Sequence, residues 1–600
     1  MRFGLLIGLC LLCFAAKAAE PFHLTEAQIK DFAVDPAWAR LMHFHKKEST
    51  VDSKEFFIAP DGKTNLASEL KATAELFNKD PSKACLFAGR YLWLKRKLGL
   101  SLPAPECPEY DKFRKEIGLT RVALIYTTSY LGNPASFFGH TLLRLDSQRD
   151  ATLLSYALNY GAVTGNDTDI LYAIKGLSGG YPGVFSVYPY YDTVNLYNNM
   201  ENRDIWEYRL NMTQEESDLF IAHVWELGHN TAQYYFATEN CSYMVMETLN
   251  LLRPETDWTE QLPFLFTLPA DTVRIVLKQK GLAGDIVYRP SRQTKIRNAF
   301  AHLSDAERDA LYKLIDDPNA AIDLPDESKA AVLETAYEYL QYRFIKKKVD
   351  LKTLRDSTIA LLKARNALPA KSVLPPVPVP SVRPDQSHKP SAVTVSAGHG
   401  NHKNFVELTW RPVLHTLLDE SDGFIPFNAI NYLAGTARYD EDGKLSLRRL
   451  DIVDLMSPAP AEQLFHPVAF KVKFGFDRFF YSPSGKELPV FDVSGGAGGA
   501  VMIGKHIDAY LIMTATVKAG KRSVAGLGFE AGLAADFGKV RTTLSVRPEA
   551  MTRKDARLTV YDAGLSVSLS RDWSWVTAYS FQDGKKYDNK TITSGLQYRF

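Results

Sequence analysis

Regular alternation of apolar and polar residues over the last third of the chain is the feature that most restricts its fold. In the run 507–518 the odd-numbered positions are apolar, and Asp508 and Lys518 stand among the even-numbered ones. Successive side chains of a strand point to opposite faces, so such runs predict strands with one apolar face. We count about eleven or twelve such strands between 392 and 600, joined by short turns such as Gly538-Lys539.

Two all-β architectures fit this alternation. A soluble β-sandwich buries one face of each strand. A transmembrane barrel alternates apolar-out and polar-in over about ten residues per strand and carries aromatic residues at the membrane interfaces. Here the strands are long and consecutive, Trp573, Trp575 and Tyr579 share one face, and the chain stops at Phe600. The last strand resembles those of bacterial outer-membrane proteins, which end in Phe. These features favour an antiparallel barrel, with the sandwich as the alternative.

The N-terminus has the pattern of a secretory signal peptide. Arg2 is followed by the apolar residues 4–16 and by small residues near Ala18 and Ala19, which predicts cleavage of a leader over 1–19. No later segment holds about 18 apolar residues without charge, so the mature chain is predicted to lack a transmembrane helix.

Composition excludes several classes of protein. Apolar residues make up 46% of the 600 residues and charged residues 23%, which excludes a mostly disordered or collagen-like chain. The net charge is +2, so the basic footprint of a nucleic-acid-binding protein is absent. The length suggests about three or four domains.

The pattern along the chain gives these domains an α+β order. A proline-rich segment marks the clearest boundary, because such composition favours an extended spacer. A long helical stretch is predicted over 327–364. The predicted units are a helical N-terminal domain (20–115), an α+β catalytic domain (116–260), a helical region (261–367), the proline-rich linker (368–391) and the β-barrel (392–600).

Three cysteines remain after the predicted cleavage. Cys85 and Cys107 lie close together in the sequence, and cysteines of secreted proteins tend to pair, so we predict a disulfide between them. Cys241 is then left unpaired. An unpaired thiol in a secreted protein is either a small buried hydrophobic residue or a reactive group.

The surroundings of Cys241 favour a reactive thiol. Asn240 is a good N-cap for the helical pattern that follows, which places Cys241 in the first helical turn. Backbone N–H groups and the helix dipole there stabilise a thiolate, which is the nucleophilic form. The alternative is that this turn simply directs a small side chain into the core.

A histidine base is predicted from a hairpin. His140 begins a β-prone run, 140–146, and a second run covers 153–160. If the two pair around a turn, with partners whose numbers sum to 299, His140 lies opposite Asn159. Directly opposed residues point to the same face, so the pair could act with a cysteine nucleophile. Ser155 is the second choice of partner.

Three segments resemble a known family. They are Ser136-Phe-Phe-Gly-His-Thr-Leu-Leu-Arg-Leu145, Leu154-Ser-Tyr-Ala-Leu-Asn-Tyr160 and Glu239-Asn-Cys-Ser-Tyr243. Together they look like the Lnb family of lipoprotein N-acyltransferases over about residues 110–260. The order His, Asn, Cys along the chain is also similar to circularly permuted papain-like proteins of the NlpC type.

The resemblance implies acyl transfer through a thioester on Cys241. His140 would take the thiol proton, and Asn159 would orient the imidazole. The implied substrates are a phospholipid or a lipoprotein. Separately, the residue patterns predict no cofactor and no metal site, because the acidic loop 166–169 is too short for a calcium loop. The implied location is the periplasm, with anchoring in the outer membrane through the barrel. Lnb-type chemistry does not require a barrel, so the barrel is a departure from the family.

Two other functions fit the same residues. Proteins of one fold carry out different reactions, so a cysteine amidase or peptidase is one alternative. The other is a non-enzymatic outer-membrane channel or assembly protein. Such a protein would keep its full function after Cys241→Ala.

Overall fold

The chain combines helices, a central sheet and a closed barrel, which confirms the predicted α+β fold class. The computed structural model describes residues 23–600 apart from 100–104, 131–136, 149–150, 166, 168–171, 173–174, 264, 414 and 482–483. The signal peptide predicted over 1–19 lies outside the described residues. Among those residues no helix is long and apolar enough to cross a membrane.

The N-terminal region is helical. Its elements are α1 (Glu26–Ala33), α2 (Pro36–Leu41), β1 (Phe44–His45), β2 (Glu48–Ser49), α3 (Leu66–Lys79), α4 (Ala88–Leu98) and α5 (Pro108–Ile117). Helix α1 begins with a reciprocal capping box between Thr25 and Gln28. Trp38 and Trp93 are buried and join these helices to the core of the next domain.

The predicted disulfide between Cys85 and Cys107 is present. It closes a loop of 22 residues in sequence separation and holds α5 against the rest of the helical region. Changing both residues to serine should destabilise this region by about 3 kcal/mol, because a cross-link restricts the unfolded chain. Hydrogen exchange of the α4 and α5 amides in the full chain would measure the loss. Unchanged exchange would show that packing alone holds these helices.

A seven-stranded antiparallel sheet forms the centre of the protein. Its strands are β3 (Leu119–Thr127), β4 (His140–Ser147), β5 (Tyr156–Ala162), β6 (Tyr181–Pro189), β7 (Ile205–Leu210), β8 (Thr231–Tyr234) and β9 (Ala283–Arg289). Their order across the sheet is β8-β6-β5-β4-β3-β7-β9. The associated helices are α6 (Tyr190–Thr193), α7 (Gln214–Leu227), α8 (Cys241–Leu249) and α9 (Pro269–Leu277). Strand β3 is almost fully buried, so it lies at the centre of the core.

The helical region after the sheet contains a break that the sequence did not predict. Its helices are α10 (Arg292–His302), α11 (Asp305–Asp316), α12 (Asp326–Ile345) and α13 (Leu351–Asn366). The predicted stretch 327–364 is therefore two helices. Lys347 adopts a left-handed backbone conformation with φ 55°, and Asp350 caps α13 by accepting from the Thr353 N–H. The turn lets α13 fold back against α12, where apolar residues of the two helices share one core.

Twelve antiparallel strands close into a barrel, as the alternation predicts. They are β10 (Ala392–Gly400), β11 (Lys403–Arg411), β12 (Ala429–Asp440), β13 (Leu445–Ser457), β14 (Ala469–Tyr481), β15 (Lys486–Ile503), β16 (Ile507–Gly520), β17 (Val524–Asp536), β18 (Val540–Met551), β19 (Leu558–Ser568), β20 (Trp573–Gly584) and β21 (Asn589–Arg599). Strand β21 pairs with β10 and closes the sheet.

The two faces of the barrel strands differ as a membrane barrel requires. Leu511 and Met513 of β16 are exposed on the outside, whereas Asp508 is buried inside. Trp573 and Trp575 also lie outside, where interfacial aromatic residues occur. The linker meets the barrel where β10 begins. We call this the proximal end. Because direction alternates, even-numbered strands begin there and odd-numbered strands end there.

The lumen is occupied at its proximal end. The segment 412–428 between β11 and β12 folds inward, and its Asp419 carboxylate accepts hydrogen bonds from Arg411, Gln597 and Arg599. All three partners are inward-facing and buried. A buried carboxylate needs such partners, so these bonds fix the segment inside the barrel. The space further along the lumen includes a cavity of about 260 Å³ lined by arginine and glutamate side chains.

Candidate active site

Cys241 is the first residue of α8. The Asn240 side-chain oxygen accepts hydrogen bonds from the N–H groups of Ser242 (3.0 Å) and Tyr243 (3.3 Å), which caps the helix as predicted. The Asn240 amide donates to the Thr267 carbonyl at 2.9 Å, so the cap is itself held in place. Cys241 carries a free, buried thiol. It therefore lies where the helix N-terminus favours a thiolate.

His140 and Asn159 lie side by side, but not in the register predicted. The His140 Nε2–H donates to Asn159 Oδ1 at 2.7 Å. Strands β4 and β5 pair with Leu143 opposite Leu158, so partners sum to 301 and the predicted sum of 299 is wrong. A shift of two residues returns every side chain to the same face. The two residues therefore meet diagonally rather than directly across the ladder.

The register differs because the turn has its own structure. Residues Thr152–Leu154 form a short 3₁₀-helix, so β5 begins at Tyr156 and not at 153 as predicted. Ser155, the second choice of partner for His140, hydrogen-bonds to Asp146 at 3.0 Å. It belongs to the turn and not to the site.

The Cys241 thiol and the His140 imidazole shift each other's pKa. Burial by itself raises the pKa of the Cys241 thiol, but the His140 charge and hydrogen bond outweigh burial, and the Thr141 N–H and the Tyr234 hydroxyl add to them, so the pKa is lowered to about 6. Burial lowers the pKa of His140, but the nearby Cys241 thiolate outweighs it and the pKa is raised. Because His140 Nε2 is hydrogen-bonded to Asn159, Nδ1 is the ring nitrogen that faces the Cys241 thiol as its hydrogen-bond partner.

Tyr197 packs against the His140 imidazole and Arg203 packs against Tyr197, and the sequence pattern predicted neither residue. The Tyr197 ring lies 5.4 Å from the His140 ring, and the Arg203 guanidinium lies 5.0 Å from the Tyr197 ring. Arg203 is buried and donates to the carbonyl groups of Thr127 and Thr128. Tyr197 is on a π-helix, Val194–Met200, a form that is frequent at functional sites.

Tyr234 is a further residue that the sequence did not reveal. Its hydroxyl oxygen accepts the Cys241 backbone N–H at 3.2 Å, and its hydroxyl hydrogen-bonds the Cys241 thiol. Burial raises the pKa of Tyr234 well above its ordinary value, so the hydroxyl stays protonated. Strand β8 presents it, and only the pairing of β8 with β6 places it beside the thiol.

Alkylation of Cys241 should report its lowered pKa. The thiolate is the reactive form, so the rate with iodoacetamide is expected to change little above the pKa of about 6 and to fall tenfold per pH unit below it. In His140→Ala burial is no longer outweighed, and the rise in rate should move to above about pH 8. A profile that rises only above this pH in the unaltered chain would contradict the pair.

Within the part of the chain that the structure describes, no group of three or more His, Cys, Asp and Glu side chains is arranged to hold a metal ion.

Family models match four parts of the chain. Residues 109–279 match the Lnb N-terminal periplasmic domain, the part that carries Cys241, His140 and Asn159. Residues 30–97, 286–377 and 381–599 match domains of unknown function, named DUF7843, DUF7842 and DUF7840. A comparison with curated proteins gives no match.

Several solved membrane barrels are similar to part of the chain. The KdgM porin with disordered oligogalacturonate is 9% identical, with 35% of this chain and 99% of the porin covered and a TM-score of 0.23. The NanC porin is 8% identical, with 35% and 100% covered and a TM-score of 0.23. The translocator domain of the autotransporter NalP from Neisseria meningitidis is 12% identical, with 36% and 89% covered and a TM-score of 0.21.

The family match and the barrel together indicate where the protein is located in the cell. Its barrel is closed and apolar on the outside, so it suits the hydrocarbon of a membrane. Residues 109–279 thus match the Lnb N-terminal periplasmic domain, and the C-terminal barrel anchors this periplasmic part in the outer membrane.

Proposed function

We propose that this protein is a cysteine-dependent acyltransferase that works through a thioester on Cys241, at the periplasmic face of the outer membrane. The observation that carries the proposal is the contact of a buried thiol of lowered pKa with an imidazole held by an amide. This is the arrangement of nucleophile, base and orienting group in covalent catalysis. The chain order His140, Asn159, Cys241 supports a permuted papain-like domain.

The first half of the reaction forms the thioester. The Cys241 thiolate attacks an ester carbonyl of a phospholipid, and a C–S bond forms. The ester C–O bond then breaks, and the leaving alkoxide takes the proton that His140 holds as imidazolium. The products are acyl-Cys241 and a lysophospholipid. Tyr234 is the natural donor to the oxyanion, because the Cys241 N–H is directed to the Tyr234 oxygen.

The second half transfers the acyl group. An amine, such as the N-terminus of a lipoprotein, attacks the thioester carbonyl, and neutral His140 takes the proton of the amine. The C–S bond breaks, an amide is released, and the thiolate returns beside the imidazolium. Water in place of the amine would give a hydrolase, so the acceptor decides between transferase and hydrolase.

Intact mass of the protein purified in phospholipid tests the proposal. We expect an acyl adduct on the unaltered chain that hydroxylamine removes, and none on Cys241→Ala. An amine acceptor should discharge the adduct into an amide. No adduct, together with a Cys241 thiol inert to alkylation, would overturn the proposal and favour a binding or channel protein. An acyl-enzyme formed only from peptide or amide substrates would favour the amidase alternative.

Tyr234→Phe should slow formation of the thioester by about 100-fold, the effect of removing one oxyanion donor. Tyr160→Phe is the matched control. Its ring stacks on Tyr234 at 5.5 Å, but its hydroxyl donates to the Ala232 carbonyl and not to the thiol. Single-turnover acylation followed by mass would compare them. Equal rates for the two variants would show that Tyr234 only packs against the site.

A further inference from the structure

The segments that carry His140 and Cys241 are both connected to one apolar cluster at the barrel rim. Phe137 and Phe138 precede His140 by two or three residues and belong to this cluster. The Asn240 cap of the Cys241 helix is bonded to Thr267, whose neighbours Phe266 and Leu268 belong to it as well. We call these residues and the barrel residues that they touch the rim cluster; its buried members are Phe137, Phe266, Leu268, Val413, Ile430 and Leu455.

The barrel part of the rim cluster includes outward-facing wall. Leu455 of β13 lies directly opposite Ile430 of β12 and Val472 of β14. Directly opposed residues share a face, and Val472 is 43% exposed on the outside. Ile430 and Leu455 are therefore buried because Phe137, Phe266 and Leu268 of the periplasmic part, together with Val413 of the barrel, pack over them. The covered patch is the continuation of the lipid-facing wall.

The outer face of the barrel remains apolar beyond the patch that the periplasmic residues cover. On β14 the neighbours of the covered patch are Val472 and Phe474, which are 43% and 41% exposed. Phe474 lies opposite Val453, which packs against the rim cluster. Phe138 is only half-buried and its ring lies 5.3 Å from that of Tyr432 on β12. An apolar surface thus runs from the exposed face of β14 to Phe138, two residues before His140 at the start of β4.

We propose that the acyl chain of a lipid in the adjacent membrane leaflet occupies this surface, moving laterally along β13 and β14 to Phe138 and the site. The inference rests on the proposed function and names the route and physical form of its donor. A bilayer lipid is the occupant because the surface is continuous with the wall that lipid tails contact. Lateral transfer keeps the apolar chain out of water, which is the favourable state for apolar surface.

Two matched barrel variants test the route. Val472→Arg places a charge on it, and Leu565→Arg does the same on β19, away from the rim cluster. Each residue is the fourth from the proximal end of its strand, and the two are 43% and 39% exposed. In vesicles of phosphatidylethanolamine and phosphatidylglycerol, we expect Val472→Arg to slow Cys241 acylation about tenfold and Leu565→Arg to leave it within about twofold.

A water-soluble dihexanoyl phosphatidylethanolamine should acylate both variants and the unaltered chain at similar rates, because it does not need the wall. Equal rates for the two variants with bilayer lipid would overturn the route while leaving the thioester intact. A loss with Val472→Arg for both lipid forms would also overturn it, since the defect would then lie in the site.

Photo-crosslinking separates this inference from the proposed function. A phosphatidylethanolamine with a diazirine on its acyl chain, placed in the same vesicles, should label peptides containing Phe138 and Phe474 in the full-length Cys241→Ala protein, where no thioester can form. Labelling around the whole barrel without enrichment at these peptides would overturn the route. Enrichment at these peptides without any acyl-enzyme in the unaltered chain would support the lipid-binding surface but contradict the proposed acyltransferase activity.

Discussion

His140→Ala should lower the rate of Cys241 acylation by about three orders of magnitude, since general acid–base catalysis contributes 10²–10⁴-fold. Two losses combine in this variant. The thiol loses the partner that holds its pKa near 6, and burial alone then raises that pKa. The leaving alkoxide also loses its proton donor. Single-turnover formation of the acyl-enzyme, followed by intact mass, measures both losses together.

A second histidine provides the control for this variant. His229→Ala removes an exposed imidazole just after the end of α7, whose Nδ1 hydrogen-bonds the Trp225 carbonyl. We expect its acylation rate to match that of the unaltered chain. If His140→Ala acylated at the same rate as His229→Ala, His140 would not be the base and the proposed mechanism would fail.

Arg90→Leu should destabilise the periplasmic part by about 3–5 kcal/mol, the cost of breaking a buried ion pair from one side. Arg90 is fully buried and donates to Glu69 at 2.7 Å, to Glu226 at 3.1 Å and to the Phe56 carbonyl at 2.6 Å. Its removal leaves two carboxylates in the core without their cation. This residue joins three helices of the N-terminal region and the sheet domain.

Hydrogen exchange of α3, α4 and α7 in the detergent-solubilised full chain would measure the effect. Arg96→Leu makes the same chemical change on the exposed side of α4, and we expect it to alter exchange little. Comparable protection in Arg90→Leu and Arg96→Leu would mean that the two carboxylates take up protons and repack without cost.

The site was accessible to sequence reasoning where its geometry is local. The Asn240 cap and the position of Cys241 in the first helical turn follow from a few consecutive residues, because capping bonds join neighbours. The proximity of His140 and Asn159 survived a wrong register, because the error was two residues and strand faces repeat every two. A slip of one residue would have separated them.

Residues contributed by other elements were beyond such reasoning. Tyr234 and Tyr197 reach the thiol and the imidazole from β8 and from a π-helix, and no local pattern fixes those distances. The break of the helical stretch 327–364 is similar. Each half has apolar residues at helical spacing, and only the packing of α13 on α12 requires the turn at Lys347.

The sequence by itself determined the alternating strands of the barrel, the helix that presents Cys241 and the hairpin that brings His140 near Asn159, although not the register of that hairpin. Each of these depends on periodicity or on contacts between near neighbours, which a single chain displays directly. Only the tertiary structure decided that segment 412–428 fills the proximal end of the lumen and that Phe137 and Phe266 pack on the outer wall of β12 and β13. These contacts join residues far apart in the chain, where apolar burial fixes that surfaces must meet but not which surfaces do.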